Sequence, residues 1–171
     1  LSRGLGDVYK RQFQREVALY EFLLNYGRKL TEDLSPQQYY EQPSQGLNHP
    51  AWVLGHLSFV AQFGVSLCGG ETWLDDSWND NFGVGSTPQN TSEPYPSVAE
   101  LLERYEDGHA RLTQAVQQAD PTLLHKETEI ETLRAVFPTQ DLLVAHILTS
   151  HEATHLGQLS AWRRGMNLKA V

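Results

Sequence analysis

Four long stretches of the 171-residue chain place apolar residues at steps of three and four, and none alternates with the period of two that a half-buried strand needs. The first runs through Phe13, Val17, Tyr20 and Leu24 and fades near Leu30. The second carries Trp52, His56, Val60, Phe63 and Leu67, opens at Asn48-His49-Pro50 with Asn48 as the expected N-cap, and stops at Gly69-Gly70. The third begins at Ser97-Val98-Ala99-Glu100, a capping box, and ends at Asp120-Pro121. The fourth starts at Pro138-Thr139, turns Leu143, Ile147, His151, His155 and Trp162 to one side, and closes with Arg163, Arg164 and Gly165. Each apolar stripe has to be covered by another, so the expected fold is an all-α four-helix bundle.

The connections refine that expectation. Residues 70–96 are dominated by Gly, Asn, Asp, Ser, Thr and Pro, with Trp73, Trp78 and Phe82 embedded. A link of this length in a compact domain is either functional or a crossover. As a crossover it lets the second and third helices run parallel, which gives up-down-down-up order. Its segment Phe82-Gly83-Val84-Gly85-Ser86-Thr87-Pro88 superficially suggests a phosphate loop, but it has no GK[ST] ending, no preceding strand and no helix directly after it. Residues 1–12 closely resemble translated sequencing-adapter read-through. They are expected to be a non-native tail, leaving 13–171 as one domain.

Charge and cysteine content narrow the function. Against 13 Lys and Arg stand 21 Asp and Glu, a net charge of −8, and no basic stripe with interleaved aromatics occurs, so nucleic acid is not an expected partner. The single Cys68 cannot form an internal disulfide and is expected to be a buried free thiol. No apolar run is expected to reach the length of a membrane span, and no signal segment is seen, so a cytoplasmic protein without a membrane partner is expected. Homodimerisation through helix faces stays open.

The histidines carry the chemistry. His151 and His155 are four residues apart, which on a helix sets them about 40° apart around the axis, one turn above the other, so both imidazoles reach one point. They lie on the core stripe, where an unpartnered imidazole nitrogen costs roughly 1–3 kcal/mol. His56, mid-helix on the second buried stripe, is the expected third ligand of a three-nitrogen metal site with open positions. Gln158 falls on the same face one turn beyond His155 and is a candidate for orienting a ligand or substrate. His49 at the helix mouth is read either as a proton carrier or as a histidine bonded to a neighbouring carbonyl. His146 precedes His151 by five residues, about 140° around an α-helix, and is expected off the ligand face. His109 is expected to be structural and His125 a surface loop residue.

His151-Glu152-Ala153-Thr154-His155 also spells the zinc-peptidase signature, in which the glutamate is the general base. After Glu152 the chain has no further Asp or Glu, and after His155 no further His, so no downstream third ligand exists. Glu152 points about 100° away from His151 and is expected to be solvated, with a proton-shuttling role as the alternative.

Asn48-His49-Pro50-Ala51-Trp52-Val53-Leu54-Gly55-His56-Leu57, followed far downstream by His151-Glu152-x-x-His155-x-Gly157-Gln158, resembles the DinB-like (DinB/YfiT) superfamily over essentially residues 13–165. The resemblance implies an up-down-down-up bundle and a divalent ion, commonly zinc or nickel, on His56, His151 and His155. Relatives of that kind include bacillithiol- and mycothiol-dependent S-transferases, a mycothiol-dependent isomerase and metal-dependent hydrolases. Gln158 stands where related sulfoxide-synthase domains carry a glutamate after a shorter gap, which argues against iron-dependent sulfoxide chemistry.

A three-imidazole site leaves the ion its full charge, and it accepts zinc, nickel, iron or manganese. Such an ion activates a bound thiol or water. The expected function is therefore thiol-dependent S-transfer or hydrolysis on a small-molecule substrate, with a low-molecular-weight thiol as a candidate partner. Trp73–Pro88 is a candidate lid. The alternatives are a non-catalytic metal-binding module, a dry hydrogen-bonded histidine core, and a peptidase.

Overall fold

The computed structural model describes residues 13–44 and 46–171. The expected adapter-derived tail, 1–12, lies outside the described residues. The fold is all-α, with no strand among the described residues. Helix α1 spans Gln14–Thr31 and α2 spans Pro50–Leu67. The short α3, Asp76–Phe82, lies within the long link, and α4 runs from Val98 to Gln118. Two single turns follow, α5 (Pro121–Leu124) and α6 (Glu131–Arg134). The last helical stretch is α7 (Gln140–His146), a π turn (Ile147–His151) and α8 (Glu152–Gly165).

Helix α2 is the centre of the molecule. It packs along α4 and touches α3, α7 and α8, while α1 lies against α4, the π turn and α8. Because other elements cover it on nearly every side, α2 has no polar face: Ala51, Val53, Leu54 and Leu57 are all at or below 2% exposure. It is consequently long and apolar enough to cross a membrane by composition, against the sequence expectation. With 72% of it buried inside the protein, it is a core helix. Its start also differs from expectation. The N-cap is His49, whose Nδ1 accepts the Trp52 N–H at 3.1 Å. Pro50, at the first helical position, has no N–H to satisfy. Ser97 caps α4 as the capping box predicts, accepting the Glu100 N–H.

The link 70–96 is more ordered than its composition suggests. Asp75 caps α3 through the Ser77 N–H, and Trp78 and Phe82 are buried at 3% and 0% exposure. These two aromatics anchor the link in the core. The core itself has two halves. Leu54, Leu57, Tyr105, Leu156 and Trp162 belong to one, and Val60, Leu112, Val116, Val144 and Leu148 to the other. Cys68 is a buried free thiol, its pKa pushed up to about 12 by that burial. At the end of the first half, the buried Arg163 guanidinium donates to both carboxylate oxygens of Asp33, at 2.5 and 2.9 Å, and to the Leu30 carbonyl. That fork fastens α8 to the end of α1.

Candidate metal centre

Helix α2, the π turn and α8 deliver His56, His151 and His155 to one point, with one ligand atom from each lying within 4.8 Å of the others. His56 Nε2 and His151 Nε2 are 3.3 Å apart. The expected triad is therefore assembled.

Its orientation is fixed by groups outside it. His56 Nδ1 lies 2.7 Å from the Phe82 carbonyl, which can only accept, so the proton sits on Nδ1 and Nε2 presents a lone pair to the centre. Phe82 comes this close because position 55 is glycine: a Cβ there would collide with the Phe82 ring. Trp52 stacks on the His56 ring at 4.7 Å with 8° between planes, and its Nε1–H donates to Ser86 Oγ. His155 is held in the same manner. Its Nδ1 lies 3.0 Å from Gln158 Oε1, which also accepts from Asn48 Nδ2 at 3.0 Å. Gln158 thus orients a ligand imidazole from an exposed position behind it. His151 Nδ1 is buried with no protein partner among the described residues.

Burial disfavours the charged imidazolium throughout the triad. It pushes His151 down to about 3, helped by the nearby imidazoles, and His155 down to about 4; His56 is also lowered, chiefly by burial. The three rings are neutral at pH 7, the form in which imidazole binds a metal.

Beside the triad, between α2 and the α7–α8 stretch, lies a cavity of about 400 Å³. Gly83, Val84, Gly85 and Ser86, from the segment that only mimics a phosphate loop, form one wall. His146 also lines it, contrary to expectation, with its ring 5.6 Å from that of His151 and stacked on Phe137. The cause is the π turn. Its i→i+5 hydrogen bonding brings residues five apart nearly one above the other, whereas an α-helix would separate them. His146 Nδ1 and Ser150 Oγ share a hydrogen bond at 2.7 Å.

The remaining candidates sit elsewhere. His49 is fully buried with both nitrogens engaged, Nδ1 by the Trp52 N–H and Nε2 by the Gln89 carbonyl at 2.9 Å, so it is bonded to neighbouring backbone as one of its two readings held. Glu152 is not solvated but 2% exposed. Helix α8 is covered by α1 on that side, and the carboxylate accepts the Tyr105 hydroxyl at 2.8 Å. His109 Nε2 is 3.3 Å from the same oxygen, without hydrogen-bond alignment. His109 is otherwise fixed by Nδ1–H donation to the Tyr105 carbonyl and by stacking on Tyr20 at 3.9 Å. Tyr20 and Tyr105 have pKa values raised well above the usual phenol, first by burial and then by the Glu152 charge. His125 is exposed at the end of α5, against the Pro121 carbonyl.

Sequence reasoning found the three imidazoles but not the groups that orient them. The Phe82 carbonyl leaves no mark in a sequence, and Asn48 was read as a helix cap. Residues 20–159 match the family model described as the DinB superfamily. No curated protein matches the chain.

Proposed function

The chain belongs to the DinB superfamily, and from that premise we propose that it is a divalent-metal-dependent enzyme, an S-transferase or hydrolase acting on a small molecule. One observation carries the reading: the Nε2 atoms of His56 and His151 face each other at 3.3 Å. Two nitrogens bound tetrahedrally to one zinc ion, at about 2.0–2.1 Å each, sit roughly 3.3 Å apart. The spacing suits two imidazoles on one divalent ion, and metal loading decides among zinc, nickel, iron and manganese.

His56, His151 and His155 would hold the ion, and Phe82 and Gln158 fix two of the rings with their lone pairs inward. When bound, such an ion lowers the pKa of a thiol or water and polarises a substrate oxygen. The protein's own part is positioning. Trp52 braces His56, and the Gly83–Ser86 segment shapes one wall of the cavity. Glu152, which a peptidase would need as a base facing the ion, is committed to Tyr105 on a different face of α8, which supports the small-molecule reading over proteolysis. In this reading α1, α2, α4 and the α7–α8 stretch form the up-down-down-up bundle, 70–96 is its crossover, and the protein works in the cytoplasm.

The test is elemental analysis of freshly purified protein, followed by thiol-transfer and ester-hydrolysis screens with and without chelator. Stoichiometric metal and chelator-sensitive turnover are expected. His56→Ala, His151→Ala and His155→Ala should each lower metal content to background. A protein that purifies and folds without metal, and takes none up, would leave the triad as a hydrogen-bonded core. Metal without turnover of any electrophile or ester would make it a binding module.

A further inference from the structure

We infer that the cavity beside the triad takes an uncharged, largely apolar substrate of about two rings, or an acyl chain of similar volume, whose only polar head reaches the histidines. The role given to the head rests on the metal-enzyme reading; the apolar selection does not.

Size comes first. A cavity of roughly 150 Å³ holds one benzene ring, and this one measures about 400 Å³. Its shape follows from the helices. His56 and Phe63 both line it and lie seven residues apart on α2, about 10 Å along the axis. The triad therefore sits toward one end. The other is walled by Val60 and Phe63 from α2, Leu143 and Ile147 from α7 and the π turn, and Leu133 and Phe137 from the link between α5 and α7.

The wall chemistry decides the charge. Among the described residues no Lys, Arg, Asp or Glu lines the cavity. Its polar side chains outside the triad already have partners: Asn48 donates to Gln158, Ser86 accepts from Trp52, and His146 pairs with Ser150. In the metal-free protein a carboxylate or ammonium entering would leave its hydration shell and meet no charged side chain on the wall. An aryl or alkyl body would meet mostly apolar side chains along its length. A thiol that carries carboxylates would have to keep them outside the cavity mouth.

The experiment uses the full chain, metal-free and zinc-loaded, with three probes. 1-Naphthylamine, two-ringed, uncharged at neutral pH and with fluorescence that shifts in apolar surroundings, reports occupancy in the metal-free protein. 2-Phenylethanethiol and 3-mercaptopropionate are then titrated as competitors, both with and without zinc. Saturable binding of the naphthylamine is expected, with 2-phenylethanethiol competing at least about tenfold better than 3-mercaptopropionate in the metal-free protein. Phe63→Arg should weaken the two uncharged probes about tenfold and strengthen 3-mercaptopropionate. Val60→Phe, which fills space without adding charge, should weaken the naphthylamine by a similar factor and covers the case in which Phe63→Arg does not fold. No saturable naphthylamine binding, equal competition by the two thiols, or unchanged binding in a folded variant would overturn the inference. Naphthylamine binding in a protein that refuses zinc would overturn the metal-enzyme reading and leave the apolar selection standing.

Discussion

Gln158 and Glu152 show what a residue's surroundings add to its type. Gln158 is exposed, yet its Oε1 fixes the proton on His155 Nδ1 and thereby aims Nε2. Losing such a partner typically weakens metal affinity by about 10–100-fold. Gln158→Leu should therefore lower zinc affinity by roughly tenfold or more, read by competition with a chromophoric chelator, while Gln158→Glu should keep or raise it. Wild-type affinity in Gln158→Leu would mean that His155 needs no orienting. Glu152 belongs instead to the core. Glu152→Ala leaves the Tyr105 hydroxyl buried and unpartnered beside a new void, and should cost about 2–4 kcal/mol in chemical denaturation without changing metal content. Glu152→Gln, whose amide oxygen can still accept from Tyr105, should recover most of that. A Glu152→Gln protein as stable as wild type but without turnover would restore Glu152 as the reaction's base. The three ligands were legible because imidazoles at i, i+4 on a buried stripe are expensive without a purpose. The burial of Glu152 was not, because its partner Tyr105 lies 47 positions away on another helix.

At the scale of elements, the long helices followed from periodicity and caps, and the departures are local. A π turn has no compositional mark, so the placement of His146 on the cavity wall could not be read from a 3.6-residue period. Helix α3 escaped notice because turn-forming residues surround it, although Asp75 is an ordinary cap. The imidazole cap of α2 makes this helix sensitive to acid. Burial holds the His49 pKa down to about 4, against about 6.5 when unfolded, and the groups facing it are the Tyr40 and Tyr95 rings and the Gln89 carbonyl, with no acidic partner among the described residues. Between those two values the unfolded chain takes up a proton that the folded chain refuses. His49 thus contributes its full stability above about pH 6.5 and loses it progressively as the pH falls toward 4. His49→Ala should cost about 2–3 kcal/mol at pH 7.5, from the lost cap, the unpartnered Gln89 carbonyl and the space left behind. It should also flatten the acid slope of stability in metal-free protein; the triad histidines, depressed in the same sense, keep the slope from vanishing. Parallel stability-versus-pH curves for wild type and variant would show that His49 does not titrate in this window.

For the whole molecule, the arrangement of α2 matters most. Other helices enclose it, so it has no free face, and His56 can meet the triad's other members only when the α7–α8 stretch docks on it. The site does not exist in the unfolded chain, which couples metal binding to folding. A ligand held only by the folded state adds RT ln(1 + [L]/Kd), about 4 kcal/mol at a thousandfold excess over Kd. In a domain of this size 1 kcal/mol moves the midpoint by about 2–4 °C. Zinc at that excess should therefore raise Tm by roughly 8–16 °C over the chelated protein. His56→Ala and His155→Ala should abolish the rise, taking one ligand from each side of the α2–α8 contact. Asp33→Ala, which loosens the Arg163 fork far from the triad, should lower Tm in both forms and leave the zinc increment intact. An increment that survives His56→Ala would place the ion elsewhere. No increment in wild type would mean that the hydrogen bond between His56 and His151 joins the helices without a metal.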